Sequence, residues 1–344
     1  GINGAFLSIG IGLSWRIMDV SIGLFRALVN QTVREALRQP VILLTTTVAI
    51  LFAALMPLMT AFQFGEGERL IRDGILALHF TLGAYLAATV SQLVMGVDLQ
   101  GRAAGLLLCK PVPRWTFFLA RYTGSLVVLA LFTLGLWVAA VLSVRIGPTD
   151  YVVDEKAGLG VLLAVGAAHA ISAALNYRRG TPYAEWAFFL TPAALLLVLG
   201  GLVLRDGRIG LVPVSMIGSM GARMAPAFAL IFLGLAVIAA ASHALLARVA
   251  GVPWLTGGVI VLIVAGLSLE PLLTSLDPGV SEHLLGKSLI RLVPSWSLFW
   301  PADALDGGRS LPLAYVGWTT LYAAAWSAFF LAVGAVSFER REVG

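Results

Sequence analysis

Charge is scarce in this sequence. Only 12% of its 344 residues are Asp, Glu, Lys or Arg, about half the roughly 25% of a soluble domain. With 59% hydrophobic residues and a mean hydropathy of +0.93, there is no room for a sizeable soluble domain, and the chain reads as an integral membrane protein. Cysteine is scarcer still. The single Cys109 excludes an intrachain disulfide and any metal cage built from thiolates. The four histidines, His79, His169, His243 and His283, fall on different segments without HExxH or similar ligand spacing, so no metal site is expected. No nucleophile–base pair is recognisable at membrane depth, which counts against an intramembrane hydrolase or transferase. No carboxylate stands at mid-depth (Glu270 lies near one end of its segment), and the two halves do not read as inverted repeats; both count against a secondary carrier. A net charge of +5 and a pI of 9.7 would suggest nucleic acid for a soluble chain. Here basic loops on one side of a membrane account for the excess, and no nucleic-acid partner is expected.

What the sequence has in abundance is long apolar runs. Eight segments approach or exceed the roughly 20 residues that a crossing helix needs: 41–62, 75–97, 117–144, 157–175, 184–204, 227–246, 254–273 and 313–336. The expected class is therefore all-α, a polytopic helical membrane protein, with residues 1–40 as an N-terminal segment and 41–344 as one transmembrane domain. The fourth segment is barely long enough, and the fourth and fifth could instead form a partly buried hairpin. Six crossings are the alternative. With eight, both ends share a side with 98–121, 175–185 and 247–253, and that side holds thirteen of the 23 Lys and Arg against six of the 18 acids. Short loops rich in Lys and Arg stay cytoplasmic, so both termini are expected inside.

Residues 1–15 are apolar but too short to span, and without a basic leader or small-residue cleavage site they read as an interfacial anchor. In 22–39, Ile22, Phe25, Val29, Val33 and Ala36 recur at helical spacing, opposite Asn30, Gln31, Arg34 and Arg38. That pattern predicts an amphipathic helix lying in the interface, ended by Pro40. His79, His169 and His243 are expected to hydrogen-bond between packed helices. Gly160, Ala164 and Ala168, with Gly166 and Ala170 beside them, are expected to let helices approach closely.

Residues 98–124, DLQGRAAGLLLCKPVPRWTFFLARYTG, carry Arg102, Lys110, Arg114 and Arg121 against one acid, Asp98. The stretch 103–109 is small and apolar, Gly101 loosens the chain before it, and Pro111 with Pro113 stops a helix after it. It reads as a short, stiffly mounted helix offering an apolar face to something in the cytoplasm. The alternative is a re-entrant or interfacial turn without a partner.

The order of residues in this stretch resembles the permeases of ATP-binding-cassette (ABC) type-2 exporters. Asp98, Gly101, Leu106, Leu107, Lys110, Pro111, Val112, Arg114, Phe117, Phe118 and Gly124 match the family's acid, glycine, apolar run, Lys-Pro-Val-x-Arg, aromatic pair and glycine. Asp98 stands where Glu is usual, and Arg102 where Thr is usual. The likeness extends through TVREALRQP (32–40) and FERREVG (338–344) and is weak between. It implies that 98–114, including Arg102 and Cys109, form a coupling helix that docks on a separate ABC ATPase subunit. It also implies that 22–39, with Arg26, Arg34, Glu35 and Arg38, form a connecting helix touching that ATPase. The chain would pair with a second permease copy or paralogue among membrane lipids in a bacterial cytoplasmic membrane, with ATP and Mg on the partner and no cofactor or catalytic residue of its own. Within 274–312, the fragment PSWSLFWPADAL fits the family's re-entrant pair, placing Trp296, Phe299 and Trp300 on an exit path. Its alternative is a surface loop with an aromatic belt. An ATPase-associated scaffold that does not transport would need the same coupling loop. The run SEHLLGKS (281–288) differs by one residue from a phosphate-binding loop, but Ser281 replaces the first glycine and no strand precedes it, so nucleotide binding is not expected there.

Overall fold

The computed structural model describes residues 22–59, 67–96, 113–146, 154–205, 214–248, 252–276, 293–302, 304–305 and 311–340. The described residues are helical, without strands. A first helix, α1 (22–37), is followed by α2 (Pro40–Met59), α3 (Gly67–Ser91), α4 (Arg114–Ile146), α5 (Glu155–Arg179), α6 (Tyr183–Arg205), α7 (Val214–Arg248), α8 (Val252–Leu276) and α9 (Leu313–Glu339). Helices α2 to α9 are each long and apolar enough to cross a membrane, in keeping with eight crossings. The chain is an all-α, polytopic membrane protein.

Local chemistry explains where these helices stop. Pro40 has no N–H to donate and opens α2 at its first position, where none is needed. The chain turns over Arg38 and Gln39, whose amides still bond back to Arg34 (3.2 Å) and Ala36 (2.9 Å). Asp154 caps α5 by accepting from the Ala157 amide at 3.0 Å. At the other end Gly180 takes the left-handed conformation (φ 64°), with its N–H on the Asn176 carbonyl. The Asn176 side-chain amide donates to the Thr181 carbonyl at 2.6 Å, so α5 returns into α6 through a short, bonded turn. The fourth segment, read as marginal, is thereby a 25-residue helix.

Burial grades the bundle from centre to rim. In the spanning windows of α7 and α4, 72% and 61% of residues are buried, against 28% in α5 and α6, 22% in α9 and 12% in α8. Helices α4 and α7 are thus the axis. Helices α2 and α3 pack beside them, α9 lies along α7, and the α5–α6 hairpin leans on α2 and α4. The hairpin spans with an apolar outer surface, including Leu163, Leu197 and Leu204; such side chains suit lipid.

Close approach depends on small residues, as expected, but not on the ladder read from the sequence. The buried face of α5 is Ala157, Gly158, Val161, Val165, Ala168 and Ser172. That alternating step of three and four residues follows one helix face better than a strict step of four does. Only Ala168 of the predicted ladder is buried, and the tight contact is at Gly158, where a Cβ would stand 2.8 Å from a Leu58 methyl.

Two of the three histidines, His79 and His169, hydrogen-bond between helices as expected, whereas the His243 hydrogen bond stays within its own helix. His79 on α3 meets Thr133 Oγ1 on α4 at 3.0 Å and stacks on Phe228 of α7, with centroids 4.9 Å apart. His243 on α7 lies 2.8 Å from the Ala239 carbonyl and meets Phe118 and Tyr122 edge-on. His169 on α5 sits between Tyr183 Oη (2.7 Å) and Thr47 Oγ1 (3.3 Å), joining α5, α6 and α2.

Candidate functional site

The least expected side chain is Arg121. Counted with the basic loop, it lies instead two turns into α4, 2% exposed. A guanidinium there must be matched by hydrogen-bonding partners, and α1 supplies them. Arg121 Nη1 donates to Glu35 Oε2 at 2.5 Å and to Thr32 Oγ1 at 3.1 Å, while its guanidinium carbon lies 5.0 Å from the Phe117 ring centre. The Gln31 amide holds the other Glu35 oxygen at 2.7 Å.

Gly124 lets α1 come this close. A Cβ there would fall 2.5 Å from Thr32 Cβ, so even Ala would force the helices apart. Thr32 and Glu35 on one helix, and Arg121 and Gly124 on the other, are each three residues apart and share a face. Thr32, Ala36 and Leu37 are buried against the bundle, while Asn30, Gln31, Arg34 and Arg38 are exposed. The amphipathic assignment therefore holds, with one refinement: the seam facing α4 is partly polar. Ile22, expected on the buried stripe, is 45% exposed.

The same end of the bundle gathers four further contacts. Arg114, at the start of α4, donates to the Glu339 carbonyl of α9 at 3.0 Å, a cation on the negative end of a helix. Phe117 and Phe118 pack on Phe338, with centroids 6.3 and 6.0 Å apart, and Gly334 makes room for Phe118. Arg38 pairs with Glu185 at the start of α6, at 3.1 Å. Arg248 of α7 reaches Ser337 Oγ of α9, also at 3.1 Å.

The loop that the sequence singled out joins this end. Its approach is a π-helical turn, Gln92–Gly96, with Val94, Met95 and Gly96 buried; extra-residue turns of this kind recur at functional positions. Its exit is Pro113, whose carbonyl accepts from the Thr116 and Phe117 amides and so begins α4. Asp98, Gly101, Arg102, Leu106, Leu107, Cys109, Lys110, Pro111 and Val112 lie outside the described residues, as does SEHLLGKS. Of the predicted connecting-helix residues, Glu35 and Arg38 make the contacts above, whereas Arg26 and Arg34 are exposed.

No family profile, curated protein or solved structure matches the chain. The site is therefore read from its geometry.

At the opposite end, Trp296 and Phe299 are buried and Trp300 is 37% exposed. A single 3-10 turn, Trp296–Phe299, carries the first two between α3, α7, α8 and α9. Trp296 Nε1 donates to the Leu262 carbonyl of α8 at 3.3 Å, and its ring meets Phe80 of α3. Phe299 lies on Gly234 of α7 and beside Tyr322 of α9. Of the three aromatics assigned to an exit path, two fill space between helices. Among the described residues, no group of three or more His, Cys, Asp or Glu converges as metal ligands would.

Sequence reasoning missed the Arg121–Glu35 contact and the Arg38–Glu185 pair. The signal for the first was present as two three-residue spacings, Thr32/Glu35 and Arg121/Gly124. Nothing local indicated that they face one another across 86 residues of chain.

Proposed function

We propose that the chain is the transmembrane subunit of an ABC exporter, coupling ATP hydrolysis on a separate ATPase subunit to export of a substrate. The observation that carries the reading is the convergence at one end of the bundle. The amphipathic helix, the foot of α4 and the end of α9 are tied together where the 97–112 loop leaves and re-enters. Force applied to that loop would act directly on α4, the start of one of the two most buried helices, and through Arg121 on α1. Such a linkage suits a permease that reads the state of an ATPase through differential contact. ATP and Mg belong to the partner, and no residue of this chain is assigned a catalytic role. The membrane is the bacterial cytoplasmic membrane, with both termini and the α1 end on the cytoplasmic side. Two permeases, identical or paralogous, pair to form the path.

Purification with native lipids and identification of co-purifying proteins tests the class. An ABC ATPase at one copy per copy of this chain is the expected result; a chain recovered without any ATPase under mild extraction would refute it. The side of the membrane is tested through the lone thiol. Cys109 should react with a membrane-impermeant maleimide in inverted vesicles but not in intact spheroplasts, and labelling from outside would reverse the orientation.

A further inference from the structure

Between α1 and the start of α6 lies a cavity of about 430 Å³ lined by Arg34, Arg38, Pro182, Glu185, Trp186 and Phe189. Its volume is within the roughly 300–1,000 Å³ of small-ligand sites. Two guanidinium groups face one carboxylate, leaving an excess positive charge. The single acid is already engaged, since Glu185 Oε2 takes the Arg38 Nε–H at 3.1 Å. Arg34 is exposed and has no acidic or hydrogen-bonding partner among the described residues. The remaining lining is apolar, with Trp186 42% and Phe189 45% exposed. Both are placed as an interfacial aromatic and its neighbour are in membrane proteins.

We propose that this cavity holds the phosphate headgroup of an anionic phospholipid, with Arg34 as its principal ligand and the lipid's upper chain along Trp186 and Phe189. A free phosphate would satisfy Arg34 equally well but would leave those two aromatics against nothing, and it would meet the Glu185 charge without compensating apolar contact. A phosphodiester lipid uses both halves of the lining. Basic pockets between membrane helices commonly select anionic headgroups. The inference rests on the membrane character of the chain and not on its partnership with an ATPase, so either can fail alone.

Native mass spectrometry of the purified full chain in neutral detergent, offered phosphatidylglycerol and phosphatidylcholine in equal amounts, tests it. Wild-type protein should retain phosphatidylglycerol in preference. Arg34→Gln should lower that preference about fivefold, the effect of roughly one basic residue near an anionic lipid, and Arg34→Lys should restore most of it. Arg26→Gln, on the same helix but outside the cavity, should leave it unchanged. Both substituted side chains are exposed, so unchanged melting in phosphatidylcholine is expected of each variant. An equal loss in Arg26→Gln would mean diffuse surface attraction and overturn the site. So would an undiminished preference in Arg34→Gln. Displacement of the lipid by equimolar glycerol phosphate would overturn the lipid assignment in favour of a free phosphate.

Discussion

Changing Leu106 and Leu107 together to Asp should abolish association with the proposed ATPase partner while leaving the helix bundle folded. The two leucines stand in the loop between α3 and α4, where an apolar pair has no use in a solvated connector. Burying one Leu side chain contributes roughly 1.5–3 kcal/mol, so losing both removes about 3–6 kcal/mol before any penalty for the new charges. Desolvating two carboxylates at a docking surface costs more again. A loss of about 4 kcal/mol already weakens a complex roughly a thousandfold. Co-purification from detergent extract is the measurement, with the elution profile and helicity of the variant as its control. If the double variant brings down its ATPase at wild-type levels, the loop is not the docking surface.

The second large effect is expected inside the helix bundle itself. Glu35→Ala removes the carboxylate that accepts from Arg121 Nη1, and the Arg121 side chain is 2% exposed. Deleting one member of a buried pair typically costs about 3–5 kcal/mol, because the remaining charge is stranded. Glu35 is itself 41% exposed, so water can replace part of it and the lower end of that range applies. The diagnostic is the rescue. Arg121→Met in the Glu35→Ala background removes the buried guanidinium that has lost this carboxylate and should recover much of the loss, since apolar replacements of a buried pair are often neutral or better. Thermal unfolding of the four proteins gives the coupling directly as a double-mutant cycle. A Glu35→Ala protein that melts like wild type would show that Arg121 finds its compensation elsewhere.

These expectations show where the sequence was legible. Crossing helices were, because lipid requires every backbone group to bond internally and so demands long apolar runs. Each of the eight predicted segments coincides with one described helix over most or all of its length, although 60–62 and 97 lie outside the described residues and α7 begins thirteen residues before 227. The amphipathic helix α1 was readable too, from the 3.6-residue period of Ile22 to Ala36. Arg121 was not. Charge counting assigns every Lys and Arg near a segment end to water, and only a partner distant in sequence can make a buried guanidinium affordable. The ladder on α5 failed for a related reason. Small residues mark several faces of that helix, and Leu58 of α2, not local spacing, selects the face at Gly158. The cavity beside Arg34 needed three elements, α1, the α5–α6 turn and the first turn of α6, that no single stretch of sequence contains.

The contact between Glu35 and Arg121 also sets an order of assembly. A ribosome delivers Glu35 first and Arg121 only 86 residues later, after α2 and α3 have been made. During that interval α1 has no α4 to rest on, and Thr32 has no Gly124 to lie against. Its half-exposed Phe25, Val29 and Val33 give it a provisional berth on the lipid surface, as amphipathic helices take. Arg121 would then enter beside a carboxylate already in place. Helix α1, made before its receptor exists, would serve as the latch that closes when the third crossing arrives.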